Sequence, residues 1–180
     1  MIENREQLVG NGSDMVFRKL RSDCVDIFEA ALEAVNPEKA VLDKLKIRGV
    51  QLSCGSFSCD LDQVNRVFVV GGGKAGGLMA KAVESVLGGL IVDGVVNVLS
   101  GTEDNVCLKK IRLNGASHPV PDKNGVTGVR SIISMTDNLG KDDLVFVLIS
   151  GGGSALMPYP AQDISLDDLR SVADGLLRAG

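Results

Sequence analysis

The chain contains no tryptophan and one tyrosine, and aromatic residues make up only 3% of its 180 positions. Aromatic platforms of the kind on which single-stranded bases stack are therefore excluded. Basic charge is equally scarce: the net charge is -4, and phosphate-backbone binding needs clustered Lys and Arg. The densest cationic stretch, Lys39 to Arg48, alternates with apolar residues as a solvated helix face does, so no nucleic-acid partner is expected. No apolar run approaches the ~18 residues that span a bilayer, and no membrane role is expected. The opening Met1-Ile-Glu-Asn-Arg-Glu6 has neither the apolar stretch of a secretory signal nor the acid-poor character of a mitochondrial one. A cytoplasmic protein with reduced thiols at Cys24, Cys54, Cys59 and Cys107 is the expectation. Cys54 and Cys59 are spaced too loosely for a zinc site and have no histidine nearby, so no metal ligands are assigned.

Glycine is what the chain has in quantity, with 22 residues gathered at apparent strand ends. Such residues build binding loops from backbone. A composition of 44% hydrophobic and 23% charged residues is that of an ordinary globular protein, and the length allows one domain with little room for a second. Residues 1–12 are polar and read as a flexible terminus, leaving one domain over residues 13–180. Leu20, Cys24, Ile27, Phe28, Ala31 and Val35 recur at helical spacing after a cap at Ser13 or Asp14. Asn36-Pro37 ends that helix and starts another. Short alternation around Gly49 and Gly55 predicts a hairpin within residues 46–63.

From Arg66 the pattern changes. Val67-Phe-Val-Val70, Gly94-Val-Val-Asn-Val-Leu99, Lys110-Ile-Arg-Leu113 and Leu144-Val-Phe-Val-Leu-Ile149 read as strands. The first and last are apolar enough to be buried on both faces. Amphipathic helices lie between them: one carries Leu78, Met79, Ala82, Val83, Val86 and Leu87, and a second follows a cap at Asn124. Ser165 with Asp168 predicts a capped final helix. Strands alternating with helices define an α/β fold with a mostly parallel, Rossmann-like sheet.

Two strands run into glycine clusters, Gly71-Gly-Gly-Lys-Ala-Gly-Gly77 and Ser150-Gly-Gly-Gly-Ser154. Loops at the carboxyl edge of a parallel sheet bind ligands, and glycine turns leave backbone N–H groups free to converge on an anion. Lys74 sits inside the first loop at the mouth of a helix. A cation placed there adds like charge to an electropositive corner, an arrangement that makes sense when an anion arrives. Gly71, Gly73 and Gly76 also satisfy the dinucleotide spacing, but Asp93, at the distance of the ribose-binding acid, precedes the next strand instead of ending it. The Walker pattern fails, because Ala75 follows Lys74 and Phe68 stands where its first glycine belongs. His118, the only histidine, lies in the stiff segment Ala116-Ser-His-Pro-Val-Pro-Asp122, where binding, base or structural roles are all open. A hydrolase built from Ser154, His118 and Asp122 fits poorly, since Leu156 replaces the last glycine of the nucleophile elbow.

In order, Val69-Val-Gly-Gly-Gly-Lys-Ala-Gly76, Ser117-His-Pro-Val-Pro-Asp122 and Val147-Leu-Ile-Ser-Gly-Gly-Gly-Ser-Ala-Leu156 resemble the glycerate 2-kinase family with a MOFRL-type carboxyl-terminal domain. Its members were long confused with hydroxypyruvate reductases. The resemblance covers roughly residues 14–180. It implies ATP-dependent phosphorylation of D-glycerate to 2-phosphoglycerate with Mg2+, and a catalytic role for Lys74. It also implies a binding cleft whose wall includes Gly71, Gly72, Gly73, His118, Ser150, Gly151, Gly152, Gly153 and Ser154. Family members run to more than twice this length, so the chain reads as the amino-terminal part of a domain whose further catalytic residues lie beyond Gly180. Two other readings stay open at this point: an NAD(P)-linked hydroxypyruvate reductase, and a non-catalytic fragment.

Overall fold

The computed structural model describes residues 2–180. The chain forms two compact units, Met1–Ala40 and Val41–Gly180.

The first unit pairs α1 (Arg5–Gly10) with α2 (Met15–Ala34). Part of the terminus expected to be flexible is thus helical. Arg5 reaches from α1 to Asp26 at 2.7 Å and Glu29 at 2.9 Å, and Glu29 also accepts the Ile2 N–H. Those charged partners lie two helical turns and more from the terminal segment in sequence, which is why local polarity did not reveal them. Asp14 is the cap of α2 and accepts the N–H groups of Val16 and Phe17. The apolar stripe of α2 does not form a core: Leu20, Ile27, Phe28 and Val35 are exposed and only Val25 is buried. The division between the units falls within α3 (Pro37–Lys44), whose first N–H groups are capped by the Asn36 side chain.

The second unit opens with an antiparallel meander of β1 (Leu45–Arg48), β2 (Gln51–Cys54) and β3 (Phe57–Asp60). Gly49 and Gly55, at φ of 60° and 59°, make its turns. The predicted hairpin is thereby extended by one strand. Then follow β4 (Arg66–Gly72), α4 (Gly76–Leu87), β5 (Ile91–Leu99), β6 (Ile111–Ala116), α5 (Lys123–Thr136), β7 (Asp143–Ile149), α6 (Gly153–Leu156) and α7 (Leu166–Ala179). The four long strands form a parallel sheet in the order β6-β5-β4-β7. Val67, Val69, Val96 and Val98 pack with Ala80, Val83 and Leu87 of α4. On the other side of the sheet Val70 and Val95 meet Ile132 of α5. Alternate residues of one strand thus serve opposite layers, as strand geometry requires.

Two details differ from expectation. β7 is an edge strand, paired only with β4, and α5 packs chiefly on β5 and β6, so Val147 and Ile149 are 61% and 57% exposed in place of buried. The cap of α5 is Asp122, which accepts the Gly125 N–H at 2.8 Å, and Asn124 lies inside the first turn. The box of Ser165 and Asp168 forms at α7 as read. At the amino edge of the sheet, Arg66 binds Asp143 through two hydrogen bonds and lies over Phe68 at 5.2 Å. Hydrogen bonds from Arg66 above all, then from the Gly140 N–H, draw the Asp143 carboxyl down to about 2.

Candidate functional site

Numbered by their order in the chain, the sheet's strands run 3-2-1-4, with the connections departing in opposite directions from β4. Parallel sheets bind ligands where that reversal opens a crevice beyond the strand ends. Here the crevice lies between β4 and β7, and these are the strands that end in the two glycine clusters.

The two loops are joined directly. Lys74 N–H donates to Gly151 O at 2.9 Å, Ala75 N–H to Ser150 Oγ at 3.0 Å, and Ser150 N–H to Gly72 O at 3.3 Å. Glycine is required for this approach: a Cβ on Gly71 would lie 2.1 Å from Leu148 O, and one on Gly73 would lie 2.2 Å from Ser150 Oγ. Gly73 N–H donates to Asn97 O and Gly76 N–H to Gly73 O. The first loop therefore spends its N–H groups from Gly73 to Gly76 internally, against the expectation of free donors there. Gly71 and Gly72 end β4, buried, and serve close packing.

The second loop is different. Gly151, Gly152, Gly153 and Ser154 precede or begin the short α6, and their N–H groups take no hydrogen-bond partner among the described residues. The side chain of Lys74 is exposed and likewise makes no ion pair or hydrogen bond among the described residues. The same holds for the half-buried ring of His118, which follows a β6 end fixed by the sheet and precedes a cis peptide bond to Pro119. These groups converge at Gly152. A Cβ there would lie 2.9 Å from His118 Cδ2, 3.1 Å from His118 Nε2 and 3.4 Å from Lys74 Cε. Three segments far apart in sequence thus bring an ammonium, an imidazole and unspent backbone donors to one corner, a combination suited to anionic oxygens.

Other candidates are placed elsewhere. Burial works against the charge of Asp122, but hydrogen bonds from Gly125 N–H and Ser117 outweigh it and hold its pKa below the ordinary value. Its carboxylate is a helix cap, and no hydrogen bond joins it to His118 among the described residues, so the hydrolase triad is not assembled. Asp93 lies near the amino end of β5, beside Phe68 of β4, where it pairs with Arg112. The ribose-binding acid of a dinucleotide site is thus missing from the loop edge. No group of three or more His, Cys, Asp and Glu that could hold a metal ion occurs among the described residues. Among the described residues no helix is long and apolar enough to cross a membrane.

Sequence reasoning missed Asn97, the only buried polar side chain of the core among the described residues. Its signal was present: one amide within the otherwise apolar Gly94-to-Leu99 run.

Sheet order, flanking helices and loop placement define a Rossmann-like α/β domain with a crevice at its switch point. The chain belongs to the family described as "Domain of unknown function (DUF4147)", which matches residues 23–180. It is 33% identical over 166 residues to a glycerate 2-kinase of Pyrococcus horikoshii, covering 92% of this chain and 36% of that protein. It is 34% identical over 161 residues to a D-glycerate 2-kinase of Thermotoga maritima, covering 89% of this chain and 35% of that protein. A crystal structure of a Pyrococcus horikoshii protein superposes with a TM-score of 0.75 at 34% identity, over 89% of this chain and 36% of that one. The expected resemblance to glycerate 2-kinases and the α/β fold are thereby established. The chain spans about a third of the length of the curated relatives it matches.

Proposed function

We propose that this chain is the amino-terminal part of a cytoplasmic kinase that transfers a phosphoryl group from ATP to the 2-hydroxyl of D-glycerate. The observation that carries this reading is the meeting of Lys74, His118 and the Gly151–Ser154 amides at one point of the switch-point crevice. D-Glycerate and ATP both present anionic oxygens, and phosphoryl transfer is accelerated chiefly by positioning and neutralising such oxygens.

In this reading the second loop cradles oxygens with its N–H groups, while Lys74 follows the charge as it shifts toward the leaving phosphate. His118 donates to, or accepts from, a substrate oxygen beside them. Mg2+ enters as the usual companion of ATP, and no group of this chain is assigned to it.

The test is titration calorimetry of this chain with ATP and with D-glycerate, alongside Lys74→Ala. Binding by the wild type, weakened about ten- to hundredfold in the variant, is expected for the loss of one charged hydrogen bond. Equal affinities in the two proteins would remove Lys74 from the site. Where the intact enzyme turns over, the same change lowers kcat by roughly two to four decades.

A further inference from the structure

Asn97 is fully buried, and its bonds do not go where a core residue's bonds need to go. It lies in β5 opposite Gly72 of β4 and opposite Asn114 of β6. Its Nδ2 donates to Leu156 O at 2.7 Å and to Gly125 O at 3.0 Å. Its Oδ1 accepts from Asn114 Nδ2 at 3.0 Å, and Asn114 also donates to Asn124 O. Its backbone carbonyl accepts the Gly73 N–H at 3.0 Å. Leu156 closes the short helix that carries the second glycine loop, Gly125 lies in the turn that follows the His118 segment, and Gly73 precedes Lys74.

We infer that Asn97 is a positioning residue, which sets the second loop and the His118 segment against Lys74 without touching a ligand. One carboxamide, with both N–H groups spent, ties one carbonyl at the start of α5 to one at the end of α6. A rigid buried amide is suited to this because each bond has a unique geometry, and a network satisfied throughout holds one arrangement. The space is reserved for it: a Cβ on Gly128 would lie 1.8 Å from Asn97 Oδ1 and 2.5 Å from Asn114 Nδ2. An apolar side chain of the same size leaves the Leu156 carbonyl without this donor, removes the tie to Gly125 of α5 and frees the loops to separate. The kinetic consequence rests on the kinase reading; the structural one does not.

The experiment uses this chain with Asn97→Leu and, as the gentler variant, Asn114→Ala, which removes the bonds to Asn97 Oδ1 and Asn124 O and leaves the Asn97 bonds to Leu156 and Gly125. Backbone hydrogen exchange is followed residue by residue. The Lys74 N–H, which bonds Gly151 across the two loops, and the Leu156 N–H are expected to exchange about tenfold faster in Asn97→Leu. Val69 and Val96 at the strand centres keep wild-type protection. ATP-dependent D-glycerate phosphorylation is measured in parallel. There kcat falls about tenfold or more while KM for D-glycerate stays within about threefold, as for a misplaced catalytic group. Uniform acceleration of exchange, strand centres included, makes Asn97 a stability residue only and overturns the inference, as does unchanged exchange at Lys74. An unchanged kcat in a folded variant overturns it too. Where this chain by itself shows no turnover, as a part of a longer enzyme can, the exchange pattern alone decides, and the kinase reading is judged by its binding of ATP and D-glycerate. If Asn97→Leu does not fold, the same local pattern in Asn114→Ala decides.

Discussion

At Gly152 a backbone φ of 89° and the nearness of two side chains act on one residue. The left-handed conformation disfavours any residue with a Cβ, and a Cβ there would press on the His118 ring. Gly152→Ala is expected to lower stability by about 1 kcal/mol and to displace His118. Denaturant unfolding measures the first effect and the imidazole NMR shifts the second. An alanine variant with unaltered His118 signals would mean that the ring does not border this loop. Lys74 is the opposite kind of residue. Its side chain is exposed, bonded to nothing among the described residues, and therefore replaceable without loss of fold. Its substitution by alanine should leave the unfolding midpoint within about 0.5 kcal/mol of wild type while removing anion affinity. That separation of stability from binding marks a functional lysine.

At the scale of elements, much of the second unit was legible. Runs of four to six residues found all the strands of the parallel sheet: Val67–Val70 and Leu144–Ile149 as continuous apolar runs before glycine loops, Lys110–Leu113 as a short alternation of charged and apolar residues. The Ser165–Asp168 spacing found the start of α7, since a capping box is a local interaction. Ser165→Ala is expected to remove about 1 kcal/mol of helix stability and to reduce the helical circular dichroism signal at α7; an unchanged signal with unchanged stability would show the cap to be idle. What was not legible is non-local. The helix α1 depends on Arg5 reaching Asp26 and Glu29, and the exposure of β7 depends on its position at the sheet edge, which composition does not report. The candidate site was legible as motifs, but the sequence did not show that the first loop spends its amides on Asn97, Gly151 and Ser150. The open edge of β7, with Val147 and Ile149 exposed, is a template for pairing with another strand. Val147→Lys should suppress concentration-dependent association of this chain in analytical ultracentrifugation. Persistence of the same association would place the sticky surface elsewhere.

At the scale of the molecule, the sheet is pinned at one edge and functional at the other. Arg66 and Asp143 join β4 to β7 at their amino ends, and the crevice opens between the same strands at their carboxyl ends. The Asp143 pKa of about 2 in the fold lies below the ordinary carboxylate value. The pair's stabilisation is therefore fully present above about pH 4 and is lost as pH falls toward about 2. Arg66→Met should flatten that part of the acid unfolding curve; an acid limb identical to wild type would show that other carboxylates dominate it. At the carboxyl ends lies the proposed anion site of the second glycine loop, Lys74 and His118. Its most direct test is the titration of 15N-labelled chain with ATP and with D-glycerate, read as amide shifts. Saturable shifts at Gly151, Gly152, Gly153 and Ser154, abolished by Lys74→Ala, are the predicted result. Saturable shifts confined to other surfaces, or none at ligand concentrations in the millimolar range, would contradict it.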